Sequence, residues 1–227
     1  MLTVDDHPAV RAGLLVLLDS EPGIVSLGAV DGAKQAVEQA GRGRPDLILA
    51  DYQLSEGDGL ALCRTMEALP EPPRVLLYSA YAGDDLAIAA LVAGANGVVS
   101  KAAPPDELFE AIRLAARGED VLPPLSRQVV AETARALEAE DMAILGMRVA
   151  RTPVAQIADT LRTDREHVER RIDIILTRLK RRVEGVSRRA PEPPRTELPE
   201  ATARARDARR GLAGRAARMV ARAPAEG

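Results

Sequence analysis

At 227 residues the chain is longer than one small domain and suits two, since domains cluster near ~100–150 residues. Its formal charge of −3 conceals a gradient: residues 1–136 carry −9, residues 137–185 carry +1 and residues 186–227 carry +5, the pattern of an acidic regulatory part joined to one that meets an anion. A single cysteine, Cys63, excludes an internal disulfide and a cysteine-built metal site; no apolar run approaches the ~20 residues that span a bilayer and no secretory signal is visible, so a soluble, cytoplasmic protein is expected.

Along the chain, short β-type runs at 2–4, 24–29, 46–51, 74–79 and 96–99 alternate with helical stretches near 8–19, 31–41, 59–69, 83–93 and 105–117. Strict β-α alternation with mostly apolar strands predicts an α/β doubly wound, five-stranded parallel sheet over residues 1–117. Turn residues fall between the runs, as in Glu21-Pro22-Gly23, Gly57-Asp58-Gly59 and Gly94-Ala95-Asn96-Gly97. Residues 118–136, with Pro123 and Pro124, read as a partly helical linker. Residues 137–183 carry no β signal and three helical stretches, at 138–149, 153–161 and 165–182, so a small all-α domain is expected. Thr152-Pro153 suits the cap and first position of the second, and Asp164 the cap of the third. The Arg/Ala/Pro-rich tail, 184–227, offers too little apolar surface to offset its ordering entropy, and disorder is expected there.

Five polar residues stand where apolar runs end: Asp5, Asp6, Asp51, Ser79 and Lys101. In an open parallel sheet such ends converge on one crevice, where ligands bind. Carboxylates crowded there repel one another unless a cation sits between them, and a hard, oxygen-seeking ion such as Mg2+ meets that need. A carboxylate is also a competent nucleophile for phosphoryl transfer, with metal and lysine offsetting charge on the transferred oxygens.

The motifs Asp5-Asp6-His7-Pro8, Pro45 through Asp51, Gly59, Ser79-Ala80 and Lys101 resemble the receiver domain of bacterial response regulators, a flavodoxin-like fold, over residues 1–117. The resemblance implies that Asp51 is phosphorylated by a sensor histidine kinase. It also implies that Asp5, Asp6, Asp51 and the backbone carbonyl of Gln53 hold Mg2+, that Lys101 pairs with a phosphoryl oxygen, and that Ser79 swings to meet another. Three departures stand out: Tyr52 to Glu56 replaces the usual Met-Pro loop, Ala102 follows the lysine in place of proline, and Val98 occupies the position of the family's aromatic switch.

Residues 137–180 resemble the LuxR-type (NarL/FixJ-like) helix-turn-helix through Leu137, Ile144-Leu145, Gln156-Ile157-Ala158, Leu161, Val168, Ile175-Leu176 and Leu179. In such a module the second helix braces a recognition helix in the major groove, which here starts near Arg165. Val168, Ile172, Ile175, Leu176 and Leu179 follow helical spacing as core positions, which leaves the opposite face, with Arg165, to meet DNA: Arg170 or Arg171 for guanine, Glu169 for cytosine, and Arg178, Lys180, Arg181 and Arg182 for phosphates. Acids at Glu166, Glu169 and Asp173 oppose phosphate binding, and Arg151 stands where the family carries glycine. The reading is a phosphorylation-controlled transcriptional regulator that binds a promoter inverted repeat as a homodimer, without membrane contact. Its rivals are a phosphorylation-dependent protein-interaction module and a phosphohydrolase; the second lacks an acid two residues after Asp51, where Gln53 sits.

Overall fold

A computed structural model describes residues 1–187 apart from 124, 126 and 136; most of the tail expected to be disordered lies outside the described residues. The chain runs β1 (Leu2–Val4), α1 (Pro8–Asp19), β2 (Ala29–Val30), α2 (Ala33–Gly43), β3 (Leu47–Asp51), α3 (Gly59–Glu67), β4 (Arg74–Ser79), α4 (Asp84–Ala93), β5 (Gly97–Ser100) and α5 (Pro105–Ala116). Four more helices follow: α6 (Arg127–Ala134), α7 (Ala139–Val149), α8 (Val154–Leu161) and α9 (Arg165–Ser187).

All neighbouring strands pair in parallel, in the order β2-β1-β3-β4-β5, the doubly wound arrangement that β-α alternation predicts. Successive strand residues point to opposite faces and meet different helices. Leu47 and Leu49 join Leu14 and Leu18 of α1 and Leu108 and Ile112 of α5, whereas Ile48 and Ala50 join Leu60 of α3 and Ile88 of α4. Pro8 opens α1, where its missing N–H costs nothing, and the Asp58 carboxylate caps α3 by accepting from the Ala61 N–H at 2.8 Å.

Three local expectations are corrected. The second strand, expected over 24–29, narrows to Ala29–Val30, because Gly28 at φ +109° breaks the extended run even though Leu27 N–H still donates to Met1 O at 2.8 Å. Pro153 is the cap of α8, one place earlier than the first helical position expected of it, and Thr152 does not cap. The last helix, expected to end at 182, runs to Ser187. Asp164 does cap it, accepting from the His167 N–H at 2.6 Å.

The hydrophobic cluster on the α3–α4 side of the sheet does not stop at α4. Every residue from Leu86 to Ala93 is buried, and the same cluster continues through Ile144 of α7, Ile157 of α8, and Val168, Ile172, Ile175 and Leu179 of α9. The sequence explains why: beyond Asp84-Asp85, α4 reads Leu-Ala-Ile-Ala-Ala-Leu-Val-Ala, with no polar face to give to water. A helix apolar all round is covered all round, here by the sheet on one side and α9 on the other. Burying each large aliphatic side chain contributes about 1.5–3 kcal/mol, so this contact is of core quality.

Candidate functional site

The ends of β1, β3 and β5 bring the acidic pocket together. Asp5 and Asp51 are buried, Asp6 is half-buried, and one ligand oxygen or nitrogen from each of Asp5, Asp6, His7 and Asp51 lies within 4.8 Å of the others. Lys101 reaches into the group, its Nζ 2.9 Å from Asp5 Oδ2 and 2.7 Å from Asp51 Oδ2. Backbone donors fix the remaining oxygens: His7 N–H donates to Asp5 Oδ1 at 2.8 Å and Gln53 N–H to Asp51 Oδ1 at 3.2 Å. Lys101 also lies 5.7 Å from the Tyr78 ring centroid, close enough for the ring face to favour its charge.

Strand register places the other candidates. Asp51 is level with Tyr78 and Ser79 with Ser100, and Lys101 N–H donates to Ser79 O at 2.7 Å. The buried Ser79 Oγ accepts from the Tyr81 N–H at 3.1 Å, holding the hydroxyl at the start of the loop into α4. Gly59 is required for close approach: a Cβ there would sit 2.6 Å from Asp51 O, so only glycine lets α3 begin against the end of β3. Val98, where an aromatic switch was absent from the sequence, is buried beneath this edge.

Burial raises the Asp51 carboxyl above the usual aspartate range, outweighing the hydrogen bond and charge of Lys101 that pull it down. For Lys101 the balance runs the other way: burial alone lowers it, but its bonds to Asp51 and Asp5 hold it above the ordinary lysine value. Three carboxylates share one ammonium, and the buried Asp6 Oδ1 accepts no directed hydrogen bond although His7 Nδ1 lies 2.7 Å away. Carboxylate oxygens clustered in excess over the one ammonium are what a hard cation would satisfy, so the donor set fits a divalent metal. His7 was not singled out in the sequence; its position directly after Asp5-Asp6 is the signal that carried it into the cluster.

The helical candidates are distributed differently. On the exposed side of α9, Arg165 Nε pairs with Glu169 Oε1 and Arg170 Nη1 with Glu166 Oε1, each at 2.7 Å and one turn apart. Arg171 faces α7, donating to Asp141 Oδ1 at 2.7 Å and to Glu138 Oε2 at 2.9 Å, and its guanidinium holds Glu138 below the usual carboxylate range. Arg178 joins the fully buried Asp141 at 3.2 Å. Further along, Lys180 Nζ lies 2.7 Å from Asp58 Oδ2 and Arg182 Nη2 lies 3.0 Å from Asp85 Oδ1, both acids of the sheet domain; Arg181 is exposed. Arg151, the replaced glycine, adopts the left-handed conformation at φ 61°.

A parallel sheet that gathers buried aspartates, a lysine and a hydroxyl at its strand ends defines an α/β domain of the receiver class. Over residues 1–113 the chain matches the family model of the response regulator receiver domain, and it belongs to that family. It is 33% identical over 119 residues, 52% of this chain and 55% of the relative, to the DNA-binding transcriptional activator DevR/DosR of Mycobacterium tuberculosis. Among solved structures it resembles a LuxR-family two-component response regulator from Aurantimonas, at 30% identity and TM-score 0.51, covering 60% of this chain and 96% of that one. An RcsB–DNA complex is similar in fold alone, at 16% identity and TM-score 0.52, covering 78% of this chain and 90% of that one. The match thus spans little more than half the length of the curated relative. No described helix is long and apolar enough to cross a membrane.

Proposed function

We propose that this chain is a cytoplasmic response regulator of a two-component system. A sensor histidine kinase phosphorylates Asp51, and residues 137–183 act as a LuxR-type helix-turn-helix that binds a promoter inverted repeat as a homodimer. The receiver occupies 1–117, the linker 118–136 and the basic tail 184–227. The observation that carries the reading is the joint contact of Lys101 with Asp5 and Asp51 in a pocket to which Asp6 adds a third carboxylate.

The chemistry follows from those contacts. An Asp51 oxygen attacks phosphorus as the nitrogen–phosphorus bond of the donor phosphohistidine breaks, and the imidazole leaves with the electron pair. Lys101 already touches the nucleophile and is placed to follow a phosphoryl oxygen, neutralising charge that grows on it. Asp5, Asp6, Asp51 and the Gln53 carbonyl would hold Mg2+, which supplies charge neutralisation and geometry for the transferred oxygens. Ser79, released from the Tyr81 N–H, would meet a second oxygen and move the loop that leads into α4.

That loop matters because α4 carries α9. Lys180 and Arg182, which suit DNA phosphates, are held by Asp58 after the phosphoacceptor and Asp85 at the start of α4. Phosphorylation and DNA therefore act on one set of contacts. The test pairs labelling with selection. Acetyl phosphate and Mg2+ are expected to label the wild-type chain and not Asp51→Asn, and the phosphorylated chain is expected to enrich a shared inverted repeat from genomic fragments at near-physiological salt. Undiminished labelling of Asp51→Asn would sink the phosphoacceptor; labelling without any enriched motif would sink the DNA output and leave a protein partner as the target.

A further inference from the structure

Most of the chain's surplus positive charge sits in one block near its end. Residues 201–222 carry seven arginines against a single acid, Asp207, and lie outside the described residues. Neither the phosphoacceptor chemistry nor α9 uses them. Residues 188–200, between this block and α9, balance three arginines with three glutamates. At no more than about 3.3–3.6 Å per residue, these 13 residues let the block reach up to about 45 Å from Ser187, or about 13 base pairs of duplex.

The folded part lacks what this block has. Residues 1–185 together carry −8, and a net negative body is repelled by a polyanion. α9 does little to reverse this. Of its seven Lys and Arg, six are ion-paired among the described residues: Arg165 and Arg170 to glutamates one turn away at 2.7 Å, Arg171 and Arg178 to Asp141, and Lys180 and Arg182 to Asp58 and Asp85 of the sheet domain. Turning Arg165 or Arg170 to a DNA phosphate strands Glu169 or Glu166 beside the same backbone, like charge against like charge. Affinity for duplex DNA comes largely from phosphate neutralisation, so a helix whose cations are already matched draws that affinity from elsewhere in the chain.

The composition of the block selects among anionic partners. Residues 188–227 contain no Phe, Tyr or Trp, and so lack the rings on which unpaired bases stack. The block's large apolar side chains are Leu212, Met219 and Val220, too few for the apolar face that seats a helix in a lipid interface. Arginine forks match phosphate oxygens without reference to base sequence.

We propose that residues 201–222 are a sequence-independent arm for the phosphates of duplex DNA. The arm supplies affinity, and α9 supplies the choice of site. This deepens the DNA-binding reading and rests on it for the identity of the polyanion.

Fluorescence anisotropy of the full-length chain on a mixed-sequence duplex, between about 50 and 200 mM salt, tests the assignment. One variant of the intact chain combines Arg204→Gln, Arg209→Gln, Arg215→Gln, Arg218→Gln and Arg222→Gln; a second places lysine at the same positions. At up to about 0.9 counterions released per contact, the glutamine variant is expected to lower the slope of log affinity against log salt by about 2–4. It is also expected to bind ~10-fold or more weakly at the low-salt end, while the lysine variant stays near wild type. A slope unchanged in the glutamine variant overturns the proposal. So does tighter binding of the wild-type chain to single-stranded RNA, or to phosphatidylserine vesicles, than to duplex at equal phosphate concentration. Selection from genomic fragments separates the two readings. A slope that falls in the glutamine variant supports the arm even if the wild-type chain enriches no motif, which fails the site-specific output alone; an enriched motif with an unchanged slope fails the arm alone.

Discussion

The acidic pocket and α9 both hold their charges in pairs, but for opposite ends. In the pocket, one lysine serves carboxylates that outnumber it, leaving negative charge for something else to complete. On α9 the pairs are closed: Arg165 with Glu169, Arg170 with Glu166, Arg171 and Arg178 with Asp141. An open charge set accepts a ligand as it stands, whereas a closed one must exchange partners first. The lesson is that the same residue types at sensible spacing signal function only when their neighbours leave valences unused.

The largest effect is expected where the closed set is deepest. Asp141 is fully buried between two arginines, and removing one member of a buried pair costs about 3–5 kcal/mol, so Asp141→Ala is expected to lower the denaturant midpoint by a large fraction of total stability. Near wild-type stability would show that Arg171 and Arg178 are free for DNA after all.

An intermediate effect is expected from opening one pair between α9 and the sheet domain. Asp85→Asn removes the partner of Arg182 at a half-exposed site, where pairs contribute about 1 kcal/mol or less. Unphosphorylated Asp85→Asn is therefore expected to bind promoter DNA several-fold more tightly than wild type, with a steeper dependence on salt as Arg182 gains a phosphate. Equal affinity of the two proteins in a filter-binding titration would break the link between docking and DNA.

The smallest effect concerns pH and sharpens the contrast from the pocket's side. Asp51 binds its proton more tightly folded than unfolded, so the native state holds more protons across that window and stability falls as pH rises from the ordinary aspartate range through the raised folded value. Metal-free wild-type protein is expected to show this decline in thermal midpoint, and Asp51→Asn to show less of it. A decline of equal slope in the variant would assign the titration elsewhere.

Much of this molecule was legible because its signals are local. Apolar runs of strand length, separated by helical stretches, dictate parallel pairing, and parallel pairing alone delivers Asp5, Asp51, Ser79 and Lys101 to one edge. Core positions on α9 followed from helical spacing in the same way, and Val168, Ile172, Ile175, Leu176 and Leu179 are all buried. The second strand is narrower than its apolar run suggests because Val25 and Leu27 look like core residues yet sit exposed at an edge that Gly28 interrupts.

Tertiary structure alone decided what lies across from what. Spacing marks Arg171 and Arg178 as cationic, but only the approach of α7 converts them from free donors into partners of Asp141. Likewise the all-apolar α4 announces that both its faces are covered, without naming α9 as the cover. Periodicity along one chain fixes which side of an element is apolar; partners distant in sequence, such as Lys180 with Asp58 or Arg151 with Asp120, arise only when the packed core sets the elements' mutual placement.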